Sequence, residues 1–421
     1  MGCVVRGAKC VGNGYGGAGL KSSATVPVVI ILTVVGYGGG MFLSCPHCPP
    51  RPTRTPHTAL QTHYVLKAKE VFNMLKKALL GIVAVSLAVC FSGCWKRKEV
   101  LHLYCWADYV SPDLIKTFEK KHNCRVVYDT FDSNEQMYAK LKAGATGYDV
   151  IVPSHYIVEL MVKDQMLLAL DKAQLPNLQY LDDNIVAMMP DSECRYSVPY
   201  MMSYTGLGFN KQKVTDFQPT WRMLERADLK GRMTMLDDAA EVIGAALLVL
   251  GKDPNSTDAA VLEEARQLIM KWRVNAAKFE NEQYKNGLAS GEFFVVMGYS
   301  GDVMQAVDEN PDELDFVIPV EGTMLSCDVM VIPAQSKSPA LAHQFINFLH
   351  DPKNAADNTE YCFYRCPNKG AYPLLSEEIK NNKAVFVEDA VLEKSVFTLE
   401  PEGAGKLLRN EIWSKIKAGA E

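Results

Sequence analysis

From Leu101 onward the apolar residues change period in a repeating rhythm, and that rhythm leaves few folds open. Leu101, Leu103 and Cys105 alternate with His102 and Tyr104, the period of two that sends side chains to opposite faces of a strand. The pattern breaks at Trp106, Ala107, Asp108 and Tyr109. Ser111-Pro112-Asp113 then opens a helix, a capping residue followed by a proline whose φ suits the first turn. Cys124–Phe131 reads as a strand, and Ser133-Asn-Glu-Gln136 as a capping box before a helix that stops at Gly144. Asp149–Pro153 reads as a buried strand, and Ile157–Lys163 as a further helix. This β-α-β-α-β-α order predicts an α/β protein with a doubly wound sheet. Ligands of such sheets sit beyond the carboxyl ends of the strands. Two aromatic rings around an acid at a strand end, Trp106, Asp108 and Tyr109, therefore make a candidate site for an organic cation. The alternative is a pair of core rings with a solvated acid.

A second α/β unit follows. Tyr196–Tyr200 and Gly206–Asn210 read as strands leaving the first unit, Met233–Leu236 as a strand, and Asp238 as the start of an apolar helix. Asp258–Val274 carries Val261, Leu262, Ala265, Leu268 and Ile269 at helical spacing. Ala276–Phe279 and Phe293–Tyr299 are predicted strands around a helix at Gln283–Ser290, and Asp328–Ile332 is predicted to return to the first unit. The expected division is 95–206 with 333–421 as one lobe and 207–332 as the inserted one. Chain crossings fall near 205–210 and 326–333, the arrangement of a hinge about which two lobes close.

Upstream the character is different. Residues 1–73 hold seven basic side chains against the single acid Glu70, with many Gly and Pro, and are expected to have no fold of their own. Cys45-Pro-His-Cys48 lies there without a surrounding βαβ pattern. Residues 74–94 have the tripartite form of a signal peptide: Met74-Leu-Lys-Lys, the apolar run Ala78–Cys90, then Phe91-Ser-Gly-Cys94. The form is similar to lipoprotein signals, which makes Cys94 the expected lipidation site, although Phe91 stands where such signals usually carry Leu. The chain beyond it is expected outside the cytoplasm, periplasmic, and held to the membrane only by that lipid.

Removing residues 1–93 turns the whole-chain charge of −5 into −13, because seven of the basic residues, then Lys76 and Lys77, go with a single acid. A surface that acidic argues against nucleic acid and anionic ligands and favours cations. Six cysteines follow Cys94, open both to disulfides in an oxidising exterior and to buried thiols. No His/Cys cluster has zinc-site spacing, and neither a metal nor a cofactor is expected.

Trp106-Ala-Asp-Tyr109, Phe131-Asp-Ser-Asn-Glu-Gln-Met-Tyr-Ala-Lys-Leu141, Tyr148-Asp-Val-Ile-Val-Pro-Ser154, Ser197-Val-Pro-Tyr200 and Asp237-Asp-Ala-Ala-Glu-Val242 occur in order and correctly spaced. Over about residues 100–421 the chain resembles the spermidine/putrescine-binding proteins of bacterial polyamine ABC transporters. The resemblance implies a type II periplasmic-binding-protein fold, two α/β lobes joined by a hinge. It implies a monomeric receptor that gives putrescine and spermidine to a permease and its ATPase. Carried over, it places Trp106, Asp108, Tyr109, Ser154 and Tyr156 on one wall of a cleft and the acids Asp238 and Glu241 on the other. Tyr299 falls where the family usually has Trp, Asp328 on an acid clamping the opposite end, and Tyr364 on a further ring. Tyr299-Ser-Gly-Asp302 resembles the putrescine-preferring members. Ala107 replaces a frequent hydroxyl, and Ser326 an aromatic ring.

The chemistry agrees without the family. Each ammonium of a diamine needs acceptors to replace its water, and carboxylates serve best. The apolar body needs aromatic faces, which also attract the cation. Against this, Asp238-x-x-Glu241 has capping-box spacing, Asp108 could cap the helix near Ser111, and Tyr156 and Tyr364 could be core rings. Ferric iron or another cation in the same fold, an extracytoplasmic hydrolase using Asp238 and Glu241, and a surface adhesin are the competing functions. No Gly-x-Ser-x-Gly elbow supports the hydrolase.

Overall fold

The computed structural model describes residues 70–81 and 98–419, which fall into two units, one within Met1–Cys94 and one within Trp95–Glu421. In the first, residues 70–81 are helical, taking in Met74-Leu-Lys-Lys and the start of the apolar run. Cys94, Cys45–Cys48 and the rest of the expected signal segment lie outside the described residues. Among the described residues no helix is long and apolar enough to cross a membrane.

The second unit holds ten strands: β1 (Glu99–Cys105), β2 (Cys124–Thr130), β3 (Val150–Ile151), β4 (Ser197–Asn210), β5 (Met233–Met235), β6 (Ala276–Phe279), β7 (Val295–Tyr299), β8 (Leu314–Val317), β9 (Met324–Val331) and β10 (Val396–Phe397). Their order is β2-β1-β3-β9-β4-β7-β5-β6, with β10 beside β9 and β8 beside β4. β1 runs parallel to β2 and β3, and β5 runs parallel to β6 and β7. The predicted rhythm of the first unit is thus present. Tyr104, expected on a polar face, is only 3% exposed, because a central parallel strand is covered on both sides. Leu101 and Leu103 pack with Leu114, Phe118 and Phe345 on one face, and Tyr104 and Ile151 with Met137, Ile157 and Met161 on the other.

A separate core gathers Trp221, Met233, Ile243, Leu262, Trp272 and Val295. Trp221 and Trp272 are fully buried, so truncating either to Ala would cost about 3–5 kcal/mol. Two cores make two lobes, joined through β4. Ser197–Tyr204 pairs with β9, and Thr205–Phe209 pairs with β7. The strand thus passes from pairing with β9 to pairing with β7 between Tyr204 and Thr205.

Three features differ from the sequence reading. β4 is one unbroken buried strand, not two. Gly206 and Gly208 suggested a break, yet they serve close approach: a Cβ at Gly206 would stand 2.4 Å from the Phe316 ring, and one at Gly208 2.5 Å from Val303. β9 pairs with β3 and with the first half of β4, so residues 324–331, expected in the inserted lobe, belong to the first sheet. The return crossing therefore lies between Val317 and Met324 rather than near 326–333. The C-terminal helix Gly403–Ala418, expected in the first lobe, buries Ile412 and Ile416 in the second core, which makes a third crossing after β10.

Candidate functional site

Beyond the carboxyl ends of β1, β2, β3, β5 and β7 lies a cavity of about 380 Å³. The strand ends supply Trp106, Asp108 and Tyr109, then Phe131–Glu135, Ser154 and Tyr156, Asp237, Asp238 and Glu241, and Tyr299 with Asp302. Strand β9 adds Ser326 and Asp328, and the segment after helix Pro352–Cys362 adds Tyr364. All eleven residues singled out from the sequence line this one space.

Asp328 is 6% exposed, and both of its oxygens are held: Tyr109 Oη donates to one at 2.6 Å and Ser154 Oγ to the other at 2.6 Å. Burial pushes its carboxyl up to about 6 against the pull of those two hydrogen bonds. Asp302 accepts from Tyr284 Oη at 2.7 Å and Tyr364 Oη at 3.0 Å. Gly301 allows this, since a Cβ there would meet the Tyr364 ring at 2.3 Å. Burial raises the Asp302 carboxyl as well.

On the facing wall Asp238 N-caps the helix Ala239–Val249, its Oδ1 accepting from the amides of Ala240 at 2.8 Å and Glu241 at 3.2 Å. Its other oxygen accepts from Tyr299 Oη at 3.3 Å. Capping and cavity lining are thus both roles of one carboxylate. Glu241 is 4% exposed and accepts from Thr205 Oγ1 at 2.6 Å. Burial, then the charge of Asp238, pushes the Glu241 carboxyl up to about 8. Asp238 is also raised by burial.

Asp108 does not cap the following helix. It sits at φ +50° and pairs with Lys285 Nζ at 2.7 Å. Asn134 organises the wall around Tyr156, donating to Ser154 Oγ at 3.1 Å and Tyr156 Oη at 2.6 Å. Trp106 tilts against Phe131 with ring centroids 4.4 Å apart. Trp106 Nε1 and Ser326 Oγ are buried at the cavity and find no protein partner among the described residues. His155, read from the sequence as a loop residue, is buried at the start of helix His155–Lys163 against the Thr398 carbonyl.

Among the described residues nine carboxylates line the cavity, Asp108, Asp132, Glu135, Asp237, Asp238, Glu241, Glu282, Asp302 and Asp328, against the single cation Lys285. Such a space concentrates cations. Aromatic faces of Trp106, Tyr109, Tyr156, Tyr299 and Tyr364 stand among the acids. Sequence reasoning passed over Thr205, Tyr284, Asn134 and Lys285. Asn134 lay within a quoted motif; the others carry no local signal, because their partners come from distant segments. The six cysteines after Cys94 are all buried free thiols.

A description of bacterial extracellular solute-binding proteins matches residues 113–387. The chain is 36% identical over 365 residues to the putrescine-binding periplasmic protein PotF of Escherichia coli, covering 82% of this chain and 98% of that one. It is 36% identical over 324 residues to the spermidine/putrescine-binding periplasmic protein of the same organism, covering 76% and 92%. Among solved structures, the TpPotD lipoprotein of Treponema pallidum is similar with a TM-score of 0.69 at 32% identity, covering 76% of this chain and all (100%) of that one. The spermidine/putrescine substrate-binding protein PotD of Streptococcus pneumoniae gives 0.67 at 30% identity, covering 77% and 100%.

Proposed function

Because the chain belongs to the bacterial extracellular solute-binding proteins, we propose that its cavity binds the polyamines putrescine and spermidine for delivery to the permease and ATPase of an ABC importer. The observation that carries this reading is the pairing of acids on both walls with aromatic faces among them. A linear diamine has two ammonium heads and an apolar body, and each part finds its complement here. The names of the relatives point the same way. The receptor acts as a periplasmic monomer tethered through lipidated Cys94, and stable anchoring needs more than one acyl chain. The two lobes are residues 98–204 with 324–402, and 205–317 with 403–419.

A receptor suits the site better than a hydrolase. Asp238 and Glu241 are neighbours on one helix end, too close to act on the two sides of a scissile bond.

Calorimetric titration of residues 95–421 is expected to show saturable binding of putrescine and spermidine and none of ferric citrate. Heat with ferric citrate alone would replace the polyamine reading with the iron one. Small-angle scattering is expected to show a smaller radius of gyration with saturating putrescine, as lobes close about the crossings at Tyr204/Thr205, 318–323 and 398–402. An identical profile with and without ligand would remove the closing motion.

A further inference from the structure

Lys285 is out of place in a cavity built for cations. It is the second residue of the short helix Tyr284–Ala289 on the second lobe, and its side chain is 17% exposed. Its Nζ reaches across to Asp108 Oδ2 at 2.7 Å, at the end of β1 on the first lobe, and lies 3.3 Å from Gln305 Oε1. Burial works to lower the ammonium, but the charges of Asp302 and Asp108 outweigh it and hold it protonated. Asp302 in turn lies within electrostatic reach of Asp328. The acids therefore divide. Glu135 and Glu241 each feel the charge of Asp238 at one end. At the other, Asp302 is within electrostatic reach of both Asp328 and Asp108, and the protein's own cation is hydrogen-bonded to Asp108 and held by the charge of Asp302 as well.

A lysine side chain is a four-carbon stem ending in an ammonium, the tetramethylene body of putrescine with one of its two heads. We propose that Lys285 is a selectivity residue: it fills the ammonium position beside Asp108 and so favours a diamine over a longer triamine. The proposal rests on the polyamine reading above. With Lys285 in place, one ligand ammonium pairs at Asp238 and Glu241 and another at Asp328 and Asp302. A third ammonium, extending toward Asp108, meets a like charge and an acid already paired. Rejection of this kind works by repulsion, as specificity often does.

The test titrates the native protein and the Lys285→Met, Lys285→Gln and Lys285→Arg variants with putrescine and with spermidine. Met and Gln keep an unbranched stem without the charge; Arg keeps the charge. In both neutral variants spermidine is expected to bind about tenfold more tightly relative to putrescine than in the native protein, while Arg leaves the ratio near the native one. Two neutral variants guard against a fold defect in either. If the native protein binds polyamines but the ratio is unchanged in the folded neutral variants, Lys285 does not set selectivity. A native protein that binds neither polyamine sinks the receptor reading, and this proposal with it.

Discussion

Asp328→Asn is expected to weaken putrescine binding by about 2–4 kcal/mol, roughly 30-fold to 1000-fold, with the protein still folded. The size follows from burial. Asp328 is 6% exposed, and its two oxygens already hold Tyr109 and Ser154, so an ammonium brought to it completes a desolvated charged cluster. Asn has the same shape but no charge, and its amide presents hydrogens where one hydroxyl now donates. The free protein does not suffer correspondingly. Burial already penalises the ionised carboxylate, pushing it up to about 6, so removing the charge relieves a cost. The melting temperature of the free variant at pH 8 is therefore expected to match or exceed that of the native protein. Calorimetry and thermal melts check both halves. Binding within threefold of native would show that Asp328 does not meet the ligand. A loss of affinity accompanied by a collapsed melting temperature would show that it is structural.

The second large effect is a reversal of pH dependence by ligand. Burial, followed by the charge of Asp238, takes Glu241 from an ordinary 4.5 to about 8, and burial takes Asp328 from 3.8 to about 6. A carboxyl whose folded value lies above its unfolded one contributes stability below the unfolded value, and that contribution is lost as pH rises through the folded value. Buried His155 and His350 act oppositely, since burial lowers both from 6.5, and His155 reaches about 4; their contribution is complete by about pH 6.5. Between about pH 6.5 and 8 the free protein is thus expected to lose about 1–2 kcal/mol of stability through Glu241. Putrescine favours the ionised acids, so its affinity is expected to rise over the same interval, with protons released on binding at pH 7. Thermal melts across that range and calorimetry in buffers of differing ionisation heat measure the two trends. Glu241→Gln should flatten both. A native protein whose free stability and affinity are both level from pH 6.5 to 8 would mean that Glu241 is already ionised in the empty cavity.

What the sequence determined by itself was local. The alternation ending at Cys105 and the Ser111-Pro112 helix start placed Trp106–Tyr109 at a strand end, where sheet geometry puts ligands. Asp238 and Glu241 were legible because a helix start has its own spacing; the side-chain cap on Ala240 and Glu241 is the same feature seen in three dimensions. The division between lobes was legible only in part. Whether Gly206 and Gly208 end a strand or admit the Phe316 and Val303 side chains depends on what lies against them. Likewise the amphipathic pattern of Gly403–Ala418 shows a face to bury without saying which lobe receives it. The supports of the acids were decided by tertiary structure alone. Tyr109 meets Asp328 across 219 positions, Lys285 meets Asp108 across 177, and Thr205 meets Glu241 across 36. A hydrogen bond or ion pair needs atoms within about 3 Å. Periodicity shows which face a side chain takes, and only the paired strands and packed elements bring such distant faces together.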